Sequence, residues 1–439
     1  MIKKIITLCM LTAASVSSFG QTFNTQRIDM LLNILEQKDK YMGSIAVSQN
    51  GHLLYSRAIG YSDIATSKQA TTDTRYRIGS ISKMFTAALI MRAVEEKKIT
   101  LAQTLDKYYP QIPNAGKINI RELLTHRSGI HNFTNDSIYW TYYTQPKTEK
   151  EMMQLITASP SDFEPGTKLE YSNSNYVILT FILEKLYGKP YAELLQTRIA
   201  QPQGLKNTYF GGKINTANNE CYSYFHNDKW TLAPETSSTI TQGAGALVST
   251  PTDLTIFIEK LFNGSIVSKN TLDTMMVMHD KFGIGMIQVP YFEKYGYGHT
   301  GGVDGFQSAV YYFPDEKLSV AIEGNGVDYP NNDILLCALS CYYNRDFNIP
   351  TFTSFTPAVA TLDQYTGNYT STALPLKIQV SRQGTRLLAQ ASGQQPFMLE
   401  AVSATTFHFD MAGIVLEFDA AKKQMILKQG GKEYIYVKE

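Results

Sequence analysis

The sequence predicts an α/β (α+β) protein: an antiparallel sheet flanked by helices, a helical insertion within that unit, and a small all-β unit after it. Three observations carry the prediction. Strand-like patterns stand at both ends of a long first stretch, with helical periodicity between them. A tract rich in Pro, Thr and Ala, Asn348–Leu362, then breaks the pattern. Beyond it, short β-type runs lie between Gly and polar turns. Strands at both ends of one stretch imply one sheet built from both ends, and chemistry belongs in the cleft where that sheet meets the insertion.

In chain order, the first segment is not part of the fold. Met1–Gly20 carries Lys3 and Lys4, an apolar run from Ile5 to about Val16, then Ser18-Phe19-Gly20 with small residues on either side of the Phe. That is the layout of a secretory signal peptide with cleavage before Gln21, and its apolar run is too short to span a bilayer. No later run approaches a membrane span, so the mature chain is expected to be exported, periplasmic or secreted, with no integral membrane segment. Ile45–Val47 and Leu53–Ile59 flank Asn50-Gly51 and predict a hairpin. From Ser80 to about Ile240 the periodicity is mostly helical. Strand signals return at Gly305–Phe313 and Leu318–Glu323, and a helix follows over about Ile334–Tyr343. Past the linker, Leu376–Val380, Arg386–Gln390, Phe407–Phe409, Ile414–Phe418, Met425–Leu427 and Tyr434–Val437 predict a small antiparallel sheet or barrel of about seven strands. The expected boundaries are 1–20 for the signal, 21–347 for the large unit, 348–362 for the linker and 363–439 for the β unit.

Composition narrows the function. The chain has 439 residues, 43% hydrophobic and 18% charged, so a packed core is expected. Forty basic against 39 acidic residues leave no strong basic field, which excludes nucleic acid as an expected partner. With the signal removed, Cys221, Cys337 and Cys341 remain, too sparse a set for a disulfide framework. Cys337 and Cys341, four apart in an apolar helical run, read as packing. His126 and His131 lack acidic or cysteine partners in sequence and read as structural; no metal or cofactor motif appears.

Three elements can carry chemistry. Gly79-Ser80-Ile81-Ser82-Lys83 opens a helical run over Met84–Val94. Ser80 then sits where free backbone N–H groups favour developing negative charge, and Lys83 lies one turn on, on the same face. A neutral lysine can serve as base for a serine, provided burial or nearby positive charge pulls its pKa far below the free value. An N-capping serine with a solvated lysine would show the same tetrad. The second element is Tyr171-Ser172-Asn173, framed by Glu164-Pro165-Gly166 and an apolar helix over Tyr176–Leu186. A phenol can relay a proton when cations hold its pKa down, and Asn173 is placed to hold Lys83 and donate to a substrate carbonyl. The third is Gly298-His299-Thr300-Gly301-Gly302 before a strand over Gln307–Phe313, where glycines let a substrate backbone approach an edge and a backbone N–H face an oxyanion. No Gly-x-Ser-x-Gly elbow and no P-loop occur.

Taken in order, Ser80-x-x-Lys83, Tyr171-Ser172-Asn173 and His299-Thr300-Gly301 resemble the serine β-lactamase and penicillin-binding family, in the branch of class C β-lactamases, D-alanyl-D-alanine carboxypeptidases, D-aminopeptidases and related esterases. Leu123–Ile130, Glu164-Pro165-Gly166, Gly243-Ala244-Gly245 and Ser249–Leu254 match as supporting segments, and the resemblance spans about Ile28–Tyr343. It implies a β-lactamase/DD-peptidase-like fold and an acyl-enzyme on Ser80. Lys83 and Tyr171 would share the proton work. The N–H groups of Ser80 and Gly302 would form an oxyanion hole, with Asn173, His299, Thr300 and Gly301 around the substrate. His299 stands where class C β-lactamases carry Lys; an imidazole is charged only in part at neutral pH, which favours peptidase or esterase relatives. The tail, with Tyr365-Thr366-Gly367-Asn368-Tyr369, looks like the lipocalin-like β units attached to some of these hydrolases. The expected substrate is a small molecule or peptide, with an amide hydrolase of D-residue type placed first. An esterase or weak β-lactamase is the alternative, and a non-catalytic penicillin-binding or sensing module comes third. No cofactor is expected, and the oligomeric state is left open.

Overall fold

A computed structural model describes residues 23–227, 229–350, 352, 355–394 and 396–439; the expected signal lies outside the described residues. The large unit is built on an antiparallel sheet running Ile287–Tyr291, Lys294–Val303, Phe306–Phe313, Leu318–Val327, Tyr41–Gln49 and His52–Ile59 in spatial order. Both chain ends of the unit therefore supply it, as the sequence pattern predicts. The joining register runs Ile45↔Ile322 and Val47↔Val320. Asn50 and Gly51, at φ 50° and 84°, make the tight left-handed turn that closes the first hairpin.

Tyr41–Gln49 is buried through its first eight residues because helices cover both faces. Gln26–Gln37 and Asn331–Tyr343 pack Leu31, Leu35, Ile334 and Ala338 on one face, against Ile45, Val47, Val320 and Ile322. The other face meets the insertion. There Ser82–Glu95 buries eleven of its fourteen residues, so this helix is hydrophobic all round and central. Asn173–Tyr187 is buried likewise, and Pro251–Phe262 completes the layer, with Phe85 stacked on Phe257 at 3.6 Å between ring centroids.

The C-terminal unit is a closed antiparallel barrel of eight strands, from Gly367–Thr370 to Lys432–Lys438, closed by Tyr369↔Lys438 and Thr370↔Val437. Gly367–Thr370 and Phe397–Ala401 are the strands that alternation does not flag. The first has one buried residue and the second reads as an unbroken apolar start. Inside the stretch read as linker, a helix begins at Val359 and runs to Tyr365, and its Leu362 and Tyr365 are buried in the barrel core. Two apolar residues three apart are too few for a periodicity to register. Cys221, Cys337 and Cys341 are free and buried. Among the described residues no helix is long and apolar enough to cross a membrane.

Candidate active site

The site forms where the central helix, the edge of the sheet and the start of Asn173–Tyr187 meet. Ser80 lies in a single 3-10 turn, Gly79–Ile81, that leads into Ser82–Glu95. The turn depends on Gly79, whose φ of +49° is strained for any residue with a Cβ. Lys83, in the first turn of the buried helix, has no exposed surface. Its Nζ lies 3.0 Å from Ser80 Oγ, and donates to Asn173 Oδ1 at 2.8 Å and Ala244 O at 2.7 Å. Burial pushes the amine well below its usual pKa. Three oxygens, those of Ser80, Asn173 and Ala244, thus stand within hydrogen-bond distance of the one buried nitrogen.

Tyr171 comes from the loop before Asn173–Tyr187 and lies against the same spot: Lys83 Nζ sits 4.8 Å from its ring centroid. Burial pushes its phenol well above the ordinary value, and a hydrogen bond with Ser80 only partly offsets this. The expectation of a phenol held down by cations is therefore corrected. Tyr171 therefore keeps its proton. Asn173 is fixed from three sides. Its N–H donates to Asn132 Oδ1 at 3.0 Å, its Nδ2 to Thr134 Oγ1 at 3.1 Å, and its Oδ1 receives Lys83.

The third element is the outer strand. Pairing of Ile287–Tyr291 with Lys294–Val303 ends at Ile287↔Gly298, so His299–Val303 keep an open outer edge, while their inner edge pairs from His299↔Val310 to Val303↔Phe306. A Cβ built on Gly79 would stand 2.6 Å from Gly302 N, and one on Gly301 would stand 2.0 Å from Ile78 O. These glycines let the edge strand close onto the serine turn, with the Gly302 backbone against Gly79, the residue before Ser80. A Cβ on Gly302 itself would meet only Phe306 O, at 4.0 Å. His299 is buried, and burial together with Lys83 pulls its pKa to about 4. Its Nδ1–H donates to Thr300 O at 2.5 Å. It is therefore neutral at physiological pH, a stronger departure from a fixed cation than the sequence alone suggests.

These groups open into a cleft of 890 Å³ whose far wall is aromatic: Phe133, Tyr139, Trp140 and Tyr143. Among the described residues no group of three or more His, Cys, Asp or Glu is placed to hold a metal ion.

The Beta-lactamase family model matches residues 33–334. The chain belongs to the Beta-lactamase family. As such it is a serine hydrolase. It is 24% identical to a penicillin-binding protein of Bacillus subtilis (strain 168) over 93% of this chain and 97% of that one. It is 27% identical to the teichoic acid D-alanine hydrolase of Staphylococcus aureus (strain MRSA252) over 68% of this chain and 76% of the relative. Its fold is similar to that of D-amino acid amidase from Ochrobactrum anthropi SV3, with a TM-score of 0.64, 23% identity, and coverage of 73% of this chain and 98% of that one.

Two further residues to which the sequence reading gave no site role stand against these groups. His126 is one. Its ring lies tilted against that of Tyr171 at 4.3 Å between centroids, and its Nδ1 accepts from Ser172 N at 3.2 Å. Burial, and then the neighbouring Lys83 and His299, hold it well below the usual pKa, so it is a neutral prop for Tyr171. Ala244 is another; only its carbonyl matters, and Gly243 before it packs where a Cβ would stand 2.4 Å from Thr86 Oγ1. A carbonyl leaves no signature in residue type. His131, read as structural for want of acidic partners in sequence, is held between Asp162 at 2.8 Å and Asp136 at 3.0 Å, so the fold supplies the acidic partners the sequence did not show. The aromatic wall gives a signal only in retrospect, as the run Tyr139-Trp140-Thr141-Tyr142-Tyr143.

Proposed function

We propose that this hydrolase is exported and forms an acyl-enzyme on Ser80, acting on amide or short peptide substrates with D-residues. The observation that carries this is the buried Lys83 amine, 3.0 Å from Ser80 Oγ and bonded to Asn173 Oδ1 and Ala244 O, with burial lowering its pKa; in its neutral form two hydrogens serve Asn173 and Ala244 and the lone pair serves Ser80. Lys83 takes the Ser80 proton as Oγ adds to the substrate carbonyl. The amides of Ser80 and Gly302 stabilise the oxyanion. Tyr171 donates its phenolic proton to the departing nitrogen and recovers one from the Lys83 ammonium. Water then repeats the addition, with Lys83 again as base, and releases the acid. The names of the relatives, a D-alanine hydrolase and a D-amino acid amidase, support the substrate class. Neutral His299 supports amide and aminopeptidase-type substrates over those needing a cation for a terminal carboxylate.

A panel of D-alanine p-nitroanilide, D-alanyl-D-alanine, nitrocefin and p-nitrophenyl acetate tests this, run beside a fluorophosphonate probe. The expected outcome is turnover of the anilide and probe labelling, both lost in Ser80→Ala. Ester turnover alone would favour the esterase reading, and labelling without turnover of any substrate would favour a binding module.

A further inference from the structure

The direction of substrate along the edge strand follows from the site and rests on the amide-hydrolase reading. Tyr171, which serves the leaving group, lies at the His299 end of the open edge, with ring centroids 6.4 Å apart. The Gly302 amide faces the carbonyl oxygen. The acyl portion must therefore leave the serine in the other direction, along Gly302, Val303 and Asp304. At that end a second cavity of 390 Å³ opens, and Phe225, Asp304 and Gln307 line both it and the catalytic cleft. Its far wall belongs to the barrel: Arg386, Met398, Asp410 and the pair Phe397 and Phe409, stacked at 4.4 Å.

The barrel is tied down at this mouth. Lys40 bonds Asp328 at 2.9 Å and also pairs with Glu400 of the barrel strand Phe397–Ala401, and His226 lies 3.1 Å from the same Asp328. Asp304, Asp328, Glu400, Asp410 and Arg386 alternate around the space with Phe397, Met398 and Phe409, a mixed lining that suits the amides and side chains of a peptide over a bare alkyl chain.

We propose that the C-terminal barrel completes a distal acyl-side subsite, so that the preferred acyl donor is a peptide of several residues rather than a single amino acid. The full chain is assayed with D-alanine p-nitroanilide, a tripeptide p-nitroanilide ending in D-alanine, and decanoyl-D-alanine p-nitroanilide. The tripeptide should exceed the single residue in kcat/KM by about tenfold or more, because remote contacts are realised in the transition state. Asp410→Lys and Met398→Trp, both on the barrel, should abolish that gain and leave the single-residue rate unchanged, with melting curves confirming folding. Equal rates for the two peptide donors, a gain that survives both variants, or a gain confined to the decanoyl donor would each overturn the subsite. Ser80-dependent hydrolysis of the short anilide without any length effect removes this inference alone. No Ser80-dependent amide turnover on any donor removes the underlying reading as well.

Discussion

Gly79→Ala puts the proposed oxyanion hole under direct test. The new methyl group would meet Gly302 N at 2.6 Å and Gly302 C and O at 2.9 Å, where ordinary contact begins at 3.4 Å. These are backbone atoms of a paired strand and cannot rotate away, so the edge must retreat by about 0.8 Å, the difference between those figures. An oxyanion donor works within a window of only about 0.4 Å, so its contribution is lost, and kcat should fall about 10²- to 10³-fold, equivalent to roughly 3–4 kcal/mol. The left-handed φ adds a stability cost of about 1 kcal/mol. Gly188→Ala is the matched control: it has φ +63° and no atom within 4 Å of its new Cβ. It should lose a few degrees of melting temperature by the φ cost and keep full activity. Single-turnover acylation by D-alanine p-nitroanilide, measured on folded protein at low temperature, reads the chemical step. An acylation rate for Gly79→Ala within about threefold of the parent would refute the placement of Gly302 in the hole.

Other outcomes follow from the same geometry. Lys83→Met should lower kcat by about three orders of magnitude. Because burial lowers this amine's pKa in the folded state while the unfolded chain binds a proton up to about pH 10.4, the parent gains stability as pH rises through the window below that value, and differential scanning calorimetry should show that slope reduced in the variant. His299, with a folded pKa near 4 against about 6.5 unfolded, contributes stability above about pH 6.5 that is lost as pH falls towards 4, up to about 3 kcal/mol; His299→Gln should remove that acid sensitivity. In the same variant, KM should be flat between about pH 5 and 8, as in the parent, and a parent KM that rises across this range would show a charged imidazole at work. His126→Leu leaves the buried Ser172 N–H without its acceptor, so melting should drop by the equivalent of about 1–3 kcal/mol and kcat should fall about tenfold or more as Tyr171 loosens. Unchanged kcat would limit His126 to packing.

The order of elements and the spacing of Ser80 and Lys83 are local matters, and the sequence by itself determined them. The Asn50-Gly51 turn, the apolar helix behind Ser80 and the β-rich ends are each written in a few neighbouring residues. Ser80 and Lys83 share a helical face because they are one turn apart, whatever else the chain does. The electrical state of the site is decided only by the tertiary structure. The Lys83 pKa falls because the helix carrying it is enclosed on every side, and that of Tyr171 rises because burial, in part against His126 from 45 positions away in sequence, shields its phenol. Closure of the edge strand onto Gly79, the Ala244 carbonyl and the barrel wall beside Asp304 likewise bring together groups separated by tens to hundreds of residues. Desolvation and packing depend on everything that surrounds an atom, whereas a motif records only the atoms that are its neighbours along the chain.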